Sequence, residues 1–502
     1  MKIKITSNPY EQIITYSKYD EQTGTYNQIS SADSSTSKLL SSDFVKCFFP
    51  FKAKEILLQL VSEYAIKGKL DVVFEGPSDE YDELLEVIKL DPKFSDVQIQ
   101  KGERYLEDGR DVINEINGIF KIIEPIVKDS VPNNESINRN LKKYSDASND
   151  IIPICVIGNT NMGKSTFINS LIGAEYLPQD KHRCTAKIYK IMQSYQSDRA
   201  FIKFLYQETP IIINLKSDFE IVGELPIEFR DELIKNILID SNSSLSKKIS
   251  SLLKFLNLYD ETNGKDFISD LIELEVPFNS EVFEKSHNPF VIFDTPGSNY
   301  AGNTKDSELL KQQMEDLTNG LPIFVSDYSG LPTTDNDSLI EELQSFDELD
   351  QRFTILVVNK ADQTMEANET WGKEQEDKIK SQPVSKKLAV RGLQGIYFVS
   401  SIMGLGYKNK GIFISEHDTR YFKKNSDDFD ETEPEFTLKL YKFNIIPDQH
   451  KAKFASEIPE GIDPIYLNSG LYSIENEIET YANKYSAYNK CQQSRLFLEK
   501  IF

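Results

Sequence analysis

Gly158-Asn159-Thr160-Asn161-Met162-Gly163-Lys164-Ser165 has the spacing G-x-x-x-x-G-K-[ST] and directly follows the apolar run Ile151 to Ile157. Glycines let the backbone curl so that its N–H groups face a polyphosphate. The helix that begins near Ser165 adds a partial positive charge at its first turn. In such a cradle Lys164 contacts the β- and γ-phosphates, the Ser165 hydroxyl ligates Mg2+, and Thr166 completes the loop. An accidental glycine-rich turn is the bland alternative, and the strand–loop–helix setting argues against it.

Three further groups follow in chain order. Asp294-Thr295-Pro296-Gly297 ends the apolar run Val291-Ile292-Phe293. An acid there can hold Mg2+ directly or through water, and the Gly297 amide can sense a γ-phosphate. Asn359-Lys360-Ala361-Asp362 ends the run Thr354 to Val358. The Asp362 carboxylate can accept the N1–H and exocyclic amine of guanine, a donor pair that adenine does not present. Val399-Ser400-Ser401 matches a loop that supports guanine O6, and is as readily a plain loop. Thr185 stands between Lys164 and the strand expected from Ile188, where a switch threonine completes magnesium coordination.

GNTNMGKSTFINSLIG, LPQDKHRCTAKIYKI, DTPG and NKAD together resemble the GTPase domain of the dynamin superfamily, its bacterial members above all. The closing SGLYSIENEIETYANKYSAYNKC is similar to the helix that follows that domain in bacterial relatives. KITSNPY and LDVVFEGPSDEYDELLEVI resemble a small domain found ahead of some of them. The resemblance implies a Mg2+-dependent GTPase, GTP and GDP as ligands, and a homodimer or oligomer formed through the GTPase domains in the GTP state. It also implies a helical bundle that moves on hydrolysis.

Two positions depart from the pattern. Thr160 stands where eukaryotic dynamins carry a Gln, and Ser298 where small Ras-like GTPases place a water-orienting Gln. The group that orients the attacking water is therefore open. Asn161 occupies the position at which potassium-activated GTPases hold K+ near the β/γ-phosphates, and it is equally a residue that tolerates loop backbone. Equal turnover in K+ and Na+ would remove the potassium reading.

The elements that must position these groups read as an α/β chain of several domains, as its 502 residues require. Residues 1–100 are expected to form a small α+β domain and 101–149 helices of a bundle, in which Val112, Ile113, Ile116, Ile119, Phe120 and Ile123 share a face. Residues 150–465 should form a P-loop GTPase domain with a mostly parallel sheet, flanking helices and a mostly helical insertion near 207–269. Glu416 to Glu435 reads as an exposed acidic loop. Residues 466–502 should close the chain as a helix packing with the bundle. Its seam of Leu471, Ile474, Ile478, Tyr481, Tyr485 and Tyr488 suits intramolecular packing, or pairing with a partner.

A formal charge of −23 argues against nucleic acid as a partner and against broad attraction to an anionic membrane. Cys47, Cys155, Cys184 and Cys491 are scattered, which suits a reducing compartment. No window approaches ~20 consecutive apolar residues, and MKIKITSNPY lacks the apolar run of a secretory signal. The expected location is cytoplasmic, with any membrane contact peripheral. A slow-turnover GTP-dependent switch that serves as a protein-interaction module is the alternative function.

Overall fold

The computed structural model describes residues 1–501 apart from 31–36, 66–68, 179–186, 195, 217, 239–242, 264–266, 287, 296–319, 334–338, 342–352, 368 and 390–391. Two compact units emerge: 1–149 with 446–458 and 484–502, and 150–445 with 459–483. Residues 1–100 and 101–149, read above as separate domains, lie in one unit. The closing stretch 466–502 is shared between the two.

In the first unit a five-stranded sheet has the order β3-β2-β1-β4-β5. Its strands are β1 (Lys2–Asn8), β2 (Ile13–Asp20), β3 (Thr25–Gln28), β4 (Leu70–Gly76) and β5 (Val97–Tyr105). Alternation sets the faces: in β1 Ile3 and Ile5 are buried while the intervening lysines are part-exposed. Helices α1 (Phe49–Tyr64) and α2 (Ser78–Leu90) contribute Leu57, Leu60 and Leu84 to the core with Phe74 of β4. The helix expected from Arg104 starts later, as α3 (Gly109–Ser130), because residues 97–105 extend the sheet. It packs with α4 (Glu135–Ser148) and the closing helix Ser486–Ile501 around Phe120, Tyr144 and Phe497. The Phe120 and Tyr144 rings lie 3.8 Å apart.

The second unit holds a ten-stranded sheet ordered β10-β9-β8-β11-β7-β12-β6-β13-β14-β15. These are β6 (Ile152–Ile157), β7 (Ile188–Ser194), β8 (Ala200–Tyr206), β9 (Thr209–Leu215), β10 (Phe219–Val222), β11 (Leu271–Pro277), β12 (Phe290–Asp294), β13 (Leu321–Asp327), β14 (Thr354–Asn359) and β15 (Leu393–Phe398). From β12 through β6, β13 and β14 to β15 every neighbour is parallel. The other half is a wing in which β8, β9 and β10 run antiparallel to their neighbours. The parallel half is buried on both faces, so β6, β12 and β14 read as unbroken apolar runs.

Two expectations need correction. The insertion near 207–269 opens with β9 and β10 and only then becomes helical, in α6 (Ile227–Ile237) and α7 (Leu245–Asn263). β-branched residues in Thr209–Val222 extend the sheet edge by pairing with β8. The acidic stretch from Glu416 is not all loop. It starts as a helix, Glu416–Asn425, capped by Ser415, with Glu416 and Asp418 in its first turn and Lys423 and Lys424 in its last.

The seam from Leu471 to Tyr488 is buried at all six positions. It is not one uninterrupted α-helix: residues Tyr481–Tyr485 form a π-helical turn between Leu471–Thr480 and Ser486–Ile501, and the chain passes from the second unit to the first within it. Among the described residues no helix is long and apolar enough to cross a membrane. Among the described residues Cys47, Cys155 and Cys491 form no disulfide; Cys184 lies outside them.

Candidate nucleotide site

Four parallel strands, β6, β12, β14 and β15, end on one edge of the sheet, where an α/β fold presents ligand-binding loops. The loop after β6 runs from Gly158 to Gly163 and enters α5 (Lys164–Ile172). Gly158 has φ +156°, and a Cβ there would sit 2.1 Å from the Val325 carbonyl oxygen of β13. Gly163 has φ +84°, and its Cβ would meet the Asn359 side chain at 2.4 Å. Both positions require glycine, for backbone conformation and for close approach. Asn161, between them, is left-handed at φ +67°, a conformation asparagine tolerates.

Lys164 is buried and its Nζ donates to the carbonyls of Gly158 at 2.8 Å and Asn159 at 3.3 Å. The cation therefore lies folded over its own loop. Burial lowers its pKa, and Asp294 opposes the shift. Asp294, at the end of β12, is pushed up to about 6 by burial, opposed by Lys164 and by the Ser165 hydroxyl. That hydroxyl donates to Asp294 Oδ2 at 3.3 Å, while Oδ1 is buried with no hydrogen-bond partner. An orphaned carboxylate oxygen beside a hydroxyl is a fitting donor set for Mg2+, which takes few protein ligands and fills its shell from water and phosphate. Among the described residues no group of three or more His, Cys, Asp or Glu is placed to hold a metal ion. The next residue, Thr295, donates its hydroxyl to the Val156 carbonyl at 3.0 Å and fixes β12 to β6.

The loop after β14 lies against the phosphate loop. Asn359 Nδ2 donates to the carbonyls of Met162 at 3.3 Å and Gly163 at 3.2 Å. Its Oδ1 accepts from Ser401, through N–H at 3.3 Å and Oγ at 2.7 Å. One buried amide thus joins three of the groups read from the sequence. Lys360 Nζ donates to the Asn161 carbonyl at 2.5 Å and pairs with Asp327 Oδ2 at 3.3 Å. Asp362 is largely buried; burial raises its pKa, and side-chain hydrogen bonds from Tyr421 and Ser400 oppose the shift.

Of the other positions read from the sequence, Thr160, Met162 and Thr166 are half-buried and Asn159 is buried, all on this loop or its helix. The Asn159 Oδ1 atom has no hydrogen-bond partner. Thr185, Gly297 and Ser298 lie outside the described residues.

Sequence reasoning missed three supports. Asp327, at the end of β13, also accepts from Ser329 Oγ and Gly330 N–H, so it is held in place to receive Lys360. Lys408 ends α8 (Ser401–Lys408), and its Nζ donates to the carbonyls of Ser170 at 2.9 Å and Leu171 at 3.1 Å on α5. A lone lysine carries no motif. Tyr421 was hidden in the acidic stretch, although the Ser415 cap and the charge order of the helix α9 (Glu416–Asn425) were signals.

The strand–loop–helix cradle, the acid at the next strand end and the Asn-Lys-x-Asp loop define a P-loop nucleotide-binding domain of mixed α/β fold. Residues 154–361 match the Dynamin family model. Over this segment the chain is similar to the dynamin superfamily. No curated protein matches it. Two solved structures, each titled an oligomerised bacterial dynamin pair that provides a mechanism for the long-range sensing and tethering of membranes, are similar to it. One has 15% identity and a TM-score of 0.32, covering 76% of this chain and 51% of that one. The other has 17% identity and a TM-score of 0.36, covering 89% and 53%. The chain spans about half the length of the solved chains it matches.

Just beyond α5, Glu175 is buried, and its Oε2 accepts from the Ile414 N–H. Burial, reinforced by Asp418, pushes its carboxyl up to about 7. A raised acid means that the folded state binds the proton more tightly than the unfolded chain. Its stabilising contribution is then full below the unfolded value of 4.5 and is lost as pH rises through about 7. Glu175→Gln keeps the acceptor and removes the charge. The variant should resist urea better than wild type at pH 8 and equally at pH 5; identical midpoints at pH 8 would contradict the assignment.

Proposed function

We propose that this chain is a dynamin-like protein of the bacterial type that binds and hydrolyses GTP with Mg2+ and self-associates in the GTP state. The observation carrying the guanine reading is Asn359, whose side chain bonds to the phosphate loop on one side and to Ser401 on the other. That amide ties the loop that leads into Lys164 to the loop that carries Asp362, which supports recognition of base and polyphosphate by a single molecule.

In this reading Lys164 leaves its loop carbonyls for the β- and γ-phosphate oxygens, and the N–H groups of the loop and the first turn of α5 receive the remaining charge. Ser165 and Asp294 hold Mg2+, with Thr185 as its switch ligand, and Gly297 senses the γ-phosphate. Bound Mg2+ neutralises charge on the β- and γ-phosphates. Asp362 accepts from the guanine edge, with Ser400 and Ser401 supporting the opposite side of the base. Lys360 stiffens the cradle through the Asn161 carbonyl. A K+ ion beside Asn161 is part of this reading.

Competition between GTP and ATP tests the reading. The wild-type chain should prefer GTP by about 100-fold or more in kcat/KM, because ATP leaves the Asp362 carboxylate unpaired. Equal use of both would end the guanine assignment. Tight GTP binding without turnover would favour the switch over the enzyme. Sizing the protein with GDP, a non-hydrolysable GTP analogue and a transition-state mimic tests self-association, which should occur only with the last two.

A further inference from the structure

The base-reading carboxylate has a partner that belongs to none of the sequence motifs. Tyr421 of α9 donates its hydroxyl to Asp362 Oδ2 at 2.5 Å. The register of α9 is fixed by the next residue, Phe422, which lies so close to Gly406 of α8 that a Cβ there would come within 2.1 Å of the ring. The Phe422 ring also packs against Phe413 at 5.9 Å, and Asn425 Nδ2 donates back to the Tyr421 carbonyl at 2.8 Å. Helix α8 in turn begins at Ser401, which is bonded to Asn359. One short helix therefore carries the support for the base loop at its start and the seat for α9 one to two turns later.

A carboxylate offers about four lone-pair sites. Tyr421 takes one on Oδ2, and the Ser400 side chain and the Asp362 backbone N–H also engage the carboxylate. We propose that Tyr421 is a positioning residue for guanine selection: its phenol, donating to Oδ2, orients the Asp362 carboxylate towards the base. This rests on the guanine-nucleotide reading above.

The electrostatic surroundings agree. Burial drives Asp362 towards its neutral form, and the Tyr421 and Ser400 hydrogen bonds favour the ionised form that can accept two donors. Around Tyr421, Asp428 adds a second negative charge and the Gln363 side chain a further hydrogen bond. The neighbouring cation, Lys360, is engaged with Asn161 and Asp327. Among the described residues the groups that favour the Asp362 charge are the Tyr421 phenol, the Ser400 side chain and the Asp362 backbone N–H, so the phenol is one of two side chains there that hold it.

The test is Tyr421→Phe in the full chain, with Mg2+, titrating GDP and inosine diphosphate between pH 5 and 8. Inosine lacks the exocyclic amine and so reads only one of the two guanine contacts. GDP affinity should fall about 5- to 20-fold, as loss of one charge-assisted hydrogen bond implies. The preference for GDP over inosine diphosphate should shrink, and the acid limb of GDP binding should move to higher pH. A purely structural role would weaken both nucleotides alike and leave that limb in place. An unchanged ratio with an unchanged limb overturns the proposal, as does tighter GDP binding, which would make Tyr421 a competitor for the base. Asp362→Asn separates the two levels. If it keeps the wild-type preference for GDP over ADP, the guanine reading fails; if it loses that preference while Tyr421→Phe changes nothing, only the positioning role fails.

Discussion

Lys164→Ala is expected to reduce kcat/KM for GTP by at least roughly 10²–10³-fold, the scale set by losing one preorganised donor from a site where charge develops. The effect should be at the upper end or beyond. The missing group is a full cation rather than a neutral donor, and in this loop it is the only side-chain cation on the cradle itself. Fold damage should not explain the loss. Burial already lowers the Lys164 pKa against the pull of Asp294, and among the described residues the ammonium donates to the carbonyls of Gly158 and Asn159, which lie in the loop itself. Shortening the side chain therefore removes a partly penalised charge from the folded protein. Calorimetric titration with a non-hydrolysable GTP analogue, beside a thermal melt of the same preparation, separates the two effects. Wild-type affinity with wild-type turnover would show that the loop does not hold the phosphates.

The sequence made the loops that follow β6 and β14 legible for a physical reason. Both sit at the ends of strands buried on two faces, so apolar runs such as Ile152–Ile157 and Thr354–Asn359 mark where each loop begins. Conformation-demanding residues then punctuate the loops: Gly158 and Gly163 are fixed by positive φ and by contacts that leave no room for a Cβ. What stayed hidden lacks such local signatures. Strand β9 exposes Thr209 and Pro210 at its start, and its alternation is irregular, so its pairing with β8 supplies what its own pattern does not. Helix α9 is polar at most positions, because Phe422 and Tyr421 are its main inward contacts. Polar composition was misread as loop; the Ser415 cap and the placement of charge carried the better information. Tyr421 and Asp327 show the wider limit. Each acts on a motif residue far away in sequence, and only the tertiary fold brings them together.

Lys408 and Glu475 are the most consequential of these long-range pairings, and Glu475→Ala is expected to cost about 3–5 kcal/mol of stability in the second unit. Glu475 lies on the helix α10 (Leu471–Thr480), wholly buried, and it accepts from Lys408 Nζ, from the Tyr466 hydroxyl and from Ser280 Oγ at 3.3 Å. Burial raises the Glu475 carboxyl and lowers the Lys408 ammonium, and their mutual attraction opposes both shifts. Removing the acid leaves a cation whose side chain is 4% exposed, held by the Ser170 and Leu171 carbonyls, the face of the Tyr466 ring and the more distant charges of Glu281 and Glu284. An uncompensated buried charge is far more expensive than a missing ion pair. The double variant Lys408→Met with Glu475→Leu, which removes both charges and keeps the volume, should therefore recover most of the loss. Urea unfolding followed through the second unit measures both variants; Glu475→Ala as stable as wild type would refute the account. The two carbonyls that Lys408 grips are in the last turn of α5, whose first turn holds Lys164 and Ser165. A cation at the C-terminal end favours the helix dipole there just as phosphate favours it at the other. The pair thus fixes the far end of the helix on which the phosphate site is built, and the recovered double variant should be stable yet bind GTP more weakly than wild type.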